Sequence, residues 1–139
     1  MISYLIDTSA AVRFIANPAV KQAWQETVTA GAVAVCDVVE LELLYGATSL
    51  ADRLRKKKLL GELFGWAPTP DSVWTRAHEV QQLLTEQGQH RSAGAADLVI
   101  AATAEANRIT ILHYDHDFEA VAKATGQSTQ WIAPPGTVS

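Results

Sequence analysis

The chain has 139 residues, 48% of them hydrophobic and 19% charged, which is the make-up of one globular domain with a buried core. This composition excludes a mostly disordered protein, and no apolar run is long enough to cross a bilayer, so no membrane association is expected. The formal net charge of −4 argues, taken alone, against a nucleic-acid partner, but acids gathered around a divalent cation would change that argument, so the partner stays open.

The hydrophobic pattern predicts short apolar strands that alternate with amphipathic helices. The first part of the chain is predicted to hold a strand at residues 2–6, helices at 10–16 and 19–30, a strand at 32–36, and a helix from its cap at Asp37 to about Tyr45. The second part is predicted to hold a charged helix at 50–64, a break at 65–70 that can contain a short strand, helices at 71–87 and 95–106, a strand at 109–112, a helix at 118–124 and a short strand at 130–132.

This alternation predicts an α/β fold, a three-layer α/β/α sandwich in which helices cover both faces of a mainly parallel sheet. No internal repeat, linker or shift of composition divides the chain. We therefore expect one domain over residues 1–133, followed by a C-terminal tail at residues 134–139.

Two features favour a cytoplasmic location. The apolar run at residues 2–6 is too short for the core of a signal peptide and has no basic start. The single cysteine, Cys36, cannot form an intrachain disulfide, which fits a reducing compartment. We expect Cys36 to be a small buried residue and not a nucleophile, because no basic activator is evident beside it.

Four acidic residues that lie far apart in sequence are predicted to meet at one edge of the sheet. Asp7 follows the first strand and Asp115 follows the strand at 109–112, while Glu42 and Asp97 lie early in helices. In such sheets, functional side chains collect beyond the carboxyl ends of the strands. Four carboxylates repel one another unless a cation joins them, and oxygen ligands in this number suit Mg²⁺ or Mn²⁺. The pattern therefore predicts a metal site that can position a water against a phosphodiester.

Each acid also has a purely structural interpretation. Asp7 can simply cap the helix that follows it, and Asp97 can lie on a solvent-facing surface. For any one acid alone, the structural interpretation is favoured. Asp97, however, stands among small and apolar residues from 95 to 102, and an acid in that setting needs a partner.

Four segments, in this order and spacing, resemble the PIN-domain nucleases and, within them, the VapC-type toxins of bacterial toxin–antitoxin pairs. They are residues 5–9 (LIDTS), 42–46 (ELLYG), 97–103 (DLVIAAT) and 111–118 (ILHYDHDF). Together they cover nearly the whole chain. No single segment is decisive, but four in register are rather specific.

The resemblance implies an α/β/α sandwich with an acidic, Mg²⁺- or Mn²⁺-dependent site that cleaves RNA, with tRNA as the family's suggestion. It implies that the catalytic metal-site carboxylates are Asp7, Glu42, Asp97 and Asp115. It adds Asp117 as a further metal ligand or outer acid, and Thr8 and Ser9 as hydroxyls that support the first aspartate. It also implies two protein partners, a small VapB-like antitoxin and a second copy of the chain in a homodimer.

Two points stay open. Glu40 and Glu42 point to nearly opposite sides of a helix, and the Glu-Leu-x-x-Gly pattern of the family selects Glu42. The family commonly has Thr where His113 stands. His113 and His116 could therefore touch substrate, although a loop histidine without a metal role is the favoured interpretation.

Basic side chains are the candidates for holding RNA phosphates. The densest run comprises Arg53, Arg55, Lys56, Lys57 and Lys58, and the other candidates are Arg13 and Arg91. A charge run on a helix is usually just a solvated face, and this interpretation is slightly favoured for the run.

The favoured hypothesis is an RNA endonuclease toxin that uses a metal-activated water. One alternative is a PIN-like module that binds RNA or protein without catalysis, but a pure scaffold has no need to gather four acids. A less favoured alternative is a receiver-type domain, because an aspartate after a strand also suits aspartyl-phosphate chemistry. A receiver would normally show an acidic pair at the first strand and a lysine after a late strand, and this sequence shows neither.

Overall fold

The computed structural model describes all residues from 1 to 139 and alternates strands with helices throughout. The elements in chain order are β1 (Tyr4–Ile6), α1 (Thr8–Ala16), α2 (Pro18–Thr29), β2 (Val33–Val35), α3 (Asp37–Tyr45), α4 (Leu50–Leu63), β3 (Gly65–Trp66), α5 (Ser72–Glu86), α6 (Ala95–Ala106), β4 (Thr110–His113), α7 (Asp117–Thr125) and β5 (Thr129–Trp131). Every predicted element is present within a few residues of its predicted bounds. The short strand considered for the break at 65–70 is β3.

The five strands form one sheet in the order β3-β2-β1-β4-β5, and every neighbouring pair is parallel. The central strands are buried, as parallel strands covered on both faces must be. The predicted mainly parallel sheet is thus confirmed. Receiver domains have the strand order 2-1-3-4-5, so this topology excludes the receiver alternative.

The helices form two layers, one on each face of the sheet. Crossovers between parallel strands follow a right-handed rule, which places the helices of the β1-to-β2-to-β3 connections on one face and those of the return to β4 and β5 on the other. Helix contacts agree with this arrangement, since α1 packs on α2 and α3 in the first layer and α5 packs on α6 and α7 in the second. The predicted three-layer sandwich is confirmed. No helix combines the length and the apolar character needed to span a membrane.

Helix α3 begins differently from the prediction. The cap position is held by Cys36, and Asp37 is the first helical residue, so the prediction of Asp37 as the cap is wrong. An acid in the first turn still favours this helix end, because helix N-termini carry a partial positive charge. The predicted burial of Cys36 is confirmed, since this residue is fully buried, and its burial raises the pKa of the thiol.

Helices α1 and α2 meet at Asn17, whose side-chain oxygen accepts hydrogen bonds from the N–H groups of Ala19 (2.9 Å) and Val20 (3.1 Å). We expect Asn17→Ala to lower the free energy of unfolding by about 1 kcal/mol, because two helix N–H groups lose their acceptor. Urea denaturation measures this loss, with Asn17→Asp as the matched control that keeps an acceptor. Equal stability of the Ala and Asp variants would contradict the capping role.

Candidate active site

The order in which the chain adds strands to the sheet reverses between β1 and β4. The carboxylates gather beyond the ends of these two strands. From β1 the chain moves outwards to β2, whereas from β4 it moves the opposite way to β5. Ligands of open α/β sheets bind in the crevice at such a reversal. Asp7 follows β1 directly, and its N–H donates to the carbonyl of Leu112 in β4 (3.0 Å). Asp115 lies two residues beyond the end of β4.

Asp7 both caps helix α1 and lies buried at the floor of this crevice. It is 3% exposed, and its Oδ1 atom accepts a hydrogen bond from the Ala10 N–H (2.9 Å). The Ser9 hydroxyl lies 2.8 Å from both carboxylate oxygens and donates to them. Burial raises the pKa of Asp7 to about 6, and the nearby charge of Asp97 acts in the same direction. The capping interpretation is therefore correct, but it leaves a buried carboxylate beside other acids.

Three further aspartates form a compact group, which we call the aspartate cluster: Asp97, Asp115 and Asp117. Each is half-buried, and one carboxylate oxygen from each lies within 4.8 Å of the others. Asp97 comes from the first turn of α6, Asp117 is the first residue of α7, and Asp115 lies in the loop before it. Two helices and the loop after β4 thus converge on one place.

Electrostatic repulsion inside the cluster adds to the effect of burial on the pKa values of Asp97 and Asp117. Burial raises the pKa of Asp97 to about 6, and the negative charges of Asp115, Asp117 and Glu42 contribute to the rise. Burial and the charge of Asp115 also raise the pKa of Asp117. The cluster thus holds more negative charge than the surrounding protein compensates. A set of oxygen donors with uncompensated charge fits a hard divalent cation.

Glu42 lies at the rim of the crevice on α3 and is held there by Thr8. The Thr8 hydroxyl donates to Glu42 Oε1 (2.6 Å), so α1 and α3 are linked at the residue next to Asp7. Glu40 points away and pairs with Lys57 of α4, with 2.8 Å between the carboxylate oxygen and the ammonium nitrogen. Of the two glutamates, Glu42 is therefore the one whose charge acts on Asp97, while Glu40 is paired with another helix.

The two histidines near the cluster differ from each other. His113 is the last residue of β4 and is 1% exposed, so the interpretation as a loop histidine is wrong and the ring cannot reach substrate. Burial lowers the pKa of His113. His116 does lie in the loop, with a side chain that is 73% exposed. Its ring meets that of Trp131 edge-on at 5.0 Å between centroids.

The basic candidates are distributed unevenly around the molecule. Arg13 is linked to the acids through Ser9, because its guanidinium donates to the Ser9 carbonyl (2.9 Å) and stacks over the Tyr114 ring at 4.5 Å. In the run on α4, Arg55 and Lys56 pair with Asp52, and Lys57 pairs with Glu40. Such pairing is typical of a solvated helix face. Like Arg13, the candidates Arg53, Lys58 and Arg91 have no ion pair, and Arg91 is exposed in the loop before α6.

Two aromatic residues beside the site, Tyr114 and Trp131, were not predicted from the sequence. The Tyr114 N–H donates to the Ser9 hydroxyl (3.0 Å), and the Tyr114 ring contacts Trp131 edge-on at 5.5 Å. The C-terminal tail returns to the same ring, since the Val138 N–H donates to the Tyr114 hydroxyl (2.8 Å). No signal in the sequence marks these residues, because their contacts join segments that are distant along the chain.

Comparison with known proteins agrees with this geometry. The model of the PIN domain family matches residues 4–124. Ribonuclease VapC21 of Mycobacterium tuberculosis is 40% identical over 134 residues, covering 96% of this chain and 96% of the relative. Ribonuclease VapC18 of the same organism is 41% identical over 139 residues, covering 97% and 98%. The chain therefore belongs to the PIN-domain family and, within it, to the VapC proteins.

The fold also matches a solved structure, that of VapBC2 from Rickettsia felis bound to a DNA fragment from their promoter. The TM-score is 0.77 at 20% sequence identity, and the match covers 94% of this chain and 98% of the other. The predicted family resemblance and fold are both confirmed.

Proposed function

We propose that this chain is a metal-dependent RNA endonuclease and the toxin of a toxin–antitoxin pair, acting in the cytoplasm through one domain at residues 1–133. The observation that carries the proposal is the aspartate cluster at the reversal point of the sheet, with buried Asp7 and rim residue Glu42 beside it. Its relatives are named as ribonucleases, which supports RNA as the substrate class, with tRNA as one candidate.

Asp97, Asp115 and Asp117 would hold a Mg²⁺ or Mn²⁺ ion, and Asp7 and Glu42 would complete the acidic site. The chemistry that such an ion supplies when bound is Lewis acidity, which activates a water for attack and offsets negative charge on the phosphodiester. These carboxylates come from the end of β1, from the helices α3, α6 and α7, and from the loop after β4, and such an origin in packed elements favours a fixed geometry.

Two hydroxyls, those of Ser9 and Thr8, keep the carboxylates of Asp7 and Glu42 in place. Ser9 donates to Asp7 while it accepts the Tyr114 N–H, so one hydroxyl connects the end of β1 to the loop after β4. Thr8 restrains Glu42 in the same way from the next position. These hydrogen bonds support the roles that the family resemblance implies for Thr8 and Ser9, since orientation of a ligand by an outer group strengthens a metal site.

The test is incubation of the purified chain with total cellular RNA in Mg²⁺, in Mn²⁺ and in EDTA. We expect discrete fragments with either metal and none in EDTA, and sequencing of the fragment ends then identifies the RNA and the bond. Fragments that persist in EDTA would contradict metal dependence. A chain that binds RNA but produces no fragments with either metal would favour the non-catalytic binding module.

Arg13 is the basic side chain best placed to hold a phosphate near the acids, and we expect Arg13→Gln to weaken RNA binding. A lost phosphate contact raises KM more than it lowers kcat, and it reduces the slope of log affinity against log salt concentration by about 1. The matched control is Arg108→Gln, since Arg108 is exposed and precedes β4 at the opposite edge of the sheet. Equal salt dependence in both variants would show that Arg13 does not contact phosphate.

The proposed protein partners are a VapB-like antitoxin and a second copy of the chain. Large apolar side chains lie exposed along α3 and α4, next to Glu42, and an apolar surface of this kind marks a site of protein association. These side chains are Leu41, Tyr45, Leu50 and Leu54. The VapBC assembly found for the R. felis protein supports an antitoxin partner.

For the homodimer, we expect light scattering on the purified chain to give twice the 15.0 kDa of one copy. The mass should hold on dilution to low micromolar concentration, because obligate dimers bury a large apolar area. A mass of one copy at every concentration would contradict the homodimer while leaving the nuclease proposal intact.

A further inference from the structure

His113 occupies a position where packing alone does not require a histidine. Its ring is 1% exposed and lies between the rings of Phe118 and Trp131, at 5.2 and 4.8 Å between centroids. The Nε2 atom is buried and has no hydrogen-bond partner. An unpaired buried donor is unfavourable, and a purely apolar ring would avoid it. The reason for a histidine at this position must therefore lie in a contact of the other ring nitrogen.

That nitrogen, Nδ1, accepts a hydrogen bond from the backbone N–H of Asp115 (3.2 Å). An accepting Nδ1 carries no proton, so the neutral ring holds its proton on Nε2. The bond joins the last residue of β4 to the residue that begins the acidic part of the loop. It therefore acts directly on the backbone that presents the Asp115 carboxylate.

The other hydrogen bonds of the loop leave this role to His113. The Tyr114 N–H is held by Ser9 (3.0 Å), and the Asp117 N–H is held by Asp115 Oδ1 (2.9 Å). The position of Asp117 thus depends on that of Asp115, and the Asp115 N–H itself is held by His113 alone. Loop backbone beyond the strand ladder has no regular partners, so one side-chain acceptor can fix its conformation.

We propose that His113 is a positioning residue, which through its Nδ1 acceptor fixes the loop that carries Asp115 and Asp117 and so sets the geometry of the aspartate cluster. The inference rests on the proposed function, in that these two aspartates would hold the metal ion. His113 itself contacts neither ion nor RNA. Outer groups that orient metal ligands typically contribute 10- to 100-fold to metal affinity.

Two substitutions separate positioning from packing. His113→Phe keeps an aromatic ring between Phe118 and Trp131 but has no acceptor. His113→Asn loses the ring but places its Oδ1 atom near the position of Nδ1. A packing role predicts that the Phe variant is closer to the wild type in every property. The positioning role predicts that thermal stability follows packing while metal affinity follows the acceptor.

The experiment is a titration of the full chain with Mn²⁺, followed by the electron paramagnetic resonance signal of the free ion. We expect His113→Phe to bind Mn²⁺ at least about tenfold more weakly than the wild type. We expect His113→Asn to bind within about threefold of the wild type despite lower thermal stability. Wild-type affinity in His113→Phe, or affinities that follow thermal stability, would overturn the proposal.

Asp115→Asn belongs in the same titration, because it separates failure of this inference from failure of the proposed function. Unchanged Mn²⁺ binding in Asp115→Asn would contradict the metal site itself. Weakened binding in Asp115→Asn with wild-type binding in His113→Phe would contradict only the role of His113. Should His113→Asn fail to fold, ¹⁵N NMR of the metal-free wild type decides. The proposal requires a protonated Nε2 and an unprotonated Nδ1 on His113, and the reverse pattern would overturn it.

Discussion

Asp7→Asn should abolish RNA cleavage while making the metal-free protein more stable at pH 8. The loss of activity should exceed a hundredfold, because removing a carboxylate of the site costs more than the 10- to 100-fold that an outer partner contributes. The gain in stability follows from burial, since Asp7 is 3% exposed and its negative charge is unfavourable there. Asparagine caps helices as well as aspartate does, so the hydrogen bond from the Ala10 N–H is kept.

The pH dependence of this gain has a definite sign. Because the pKa of Asp7 is raised to about 6 in the folded protein, the folded state binds this proton more tightly than the unfolded state does. The stability that this bound proton contributes to the wild type is fully present below about pH 4 and is lost as the pH rises through about 6. The Asn variant has no such loss, so its advantage should grow over this interval to the order of 2–3 kcal/mol.

Urea denaturation in EDTA at pH 4 and at pH 8 measures the difference. Asp71→Asn is the matched control, since Asp71 is exposed and makes no capping hydrogen bond at the start of α5. We expect the control to match the wild type in both stability and activity. An Asp7→Asn variant that is inactive but less stable than the wild type at pH 8 would mean that the substitution acts by damaging the fold.

Mn²⁺ or Mg²⁺ should stabilise the wild-type chain strongly at pH 8. The aspartate cluster holds uncompensated negative charge, with carboxylate oxygens within 4.8 Å of one another, and a bound cation removes that repulsion. At a free metal concentration of a hundred times Kd the gain is about 2.7 kcal/mol. For a chain of this size, that gain corresponds to an increase in Tm of roughly 10 °C.

Thermal unfolding with and without metal measures this shift, and Asp115→Asn should remove most of it. The shift should be smaller at pH 6 than at pH 8, because protons on Asp7 and Asp97, whose pKa values are both about 6, compete with the ion. An equal shift in the wild type and in Asp115→Asn would place the ion elsewhere. No shift in the wild type would argue against a metal site and for a binding module.

Much of the fold could be predicted from the sequence because its signals are local. Short apolar runs between amphipathic helices predict parallel strands, and the positions of Asp7 and Asp115 after two of them predict acids at one sheet edge. The strand order is not a local property and needed the structure. With that order known, the reversal between β1 and β4 explains why acids from opposite ends of the chain meet.

The details that sequence reasoning could not reach depend on tertiary contacts. His113 looked like a loop residue because a polar side chain ends an apolar run, yet two aromatic rings from β5 and α7 bury it. The pair between Asp52 and Lys56 could be predicted from their helical spacing. The pair between Glu40 and Lys57 could not, because it joins two helices.

The most direct test of the central claim, that the aspartate cluster is the active site of a ribonuclease, compares Asp97→Asn with Asp71→Asn. Both variants change one aspartate to asparagine, but only Asp97 belongs to the cluster. With the same RNA and Mn²⁺, we expect cleavage at the wild-type sites by Asp71→Asn and none by folded Asp97→Asn. Cleavage at those sites by Asp97→Asn, at the wild-type rate and in protein free of other nucleases, would contradict the claim.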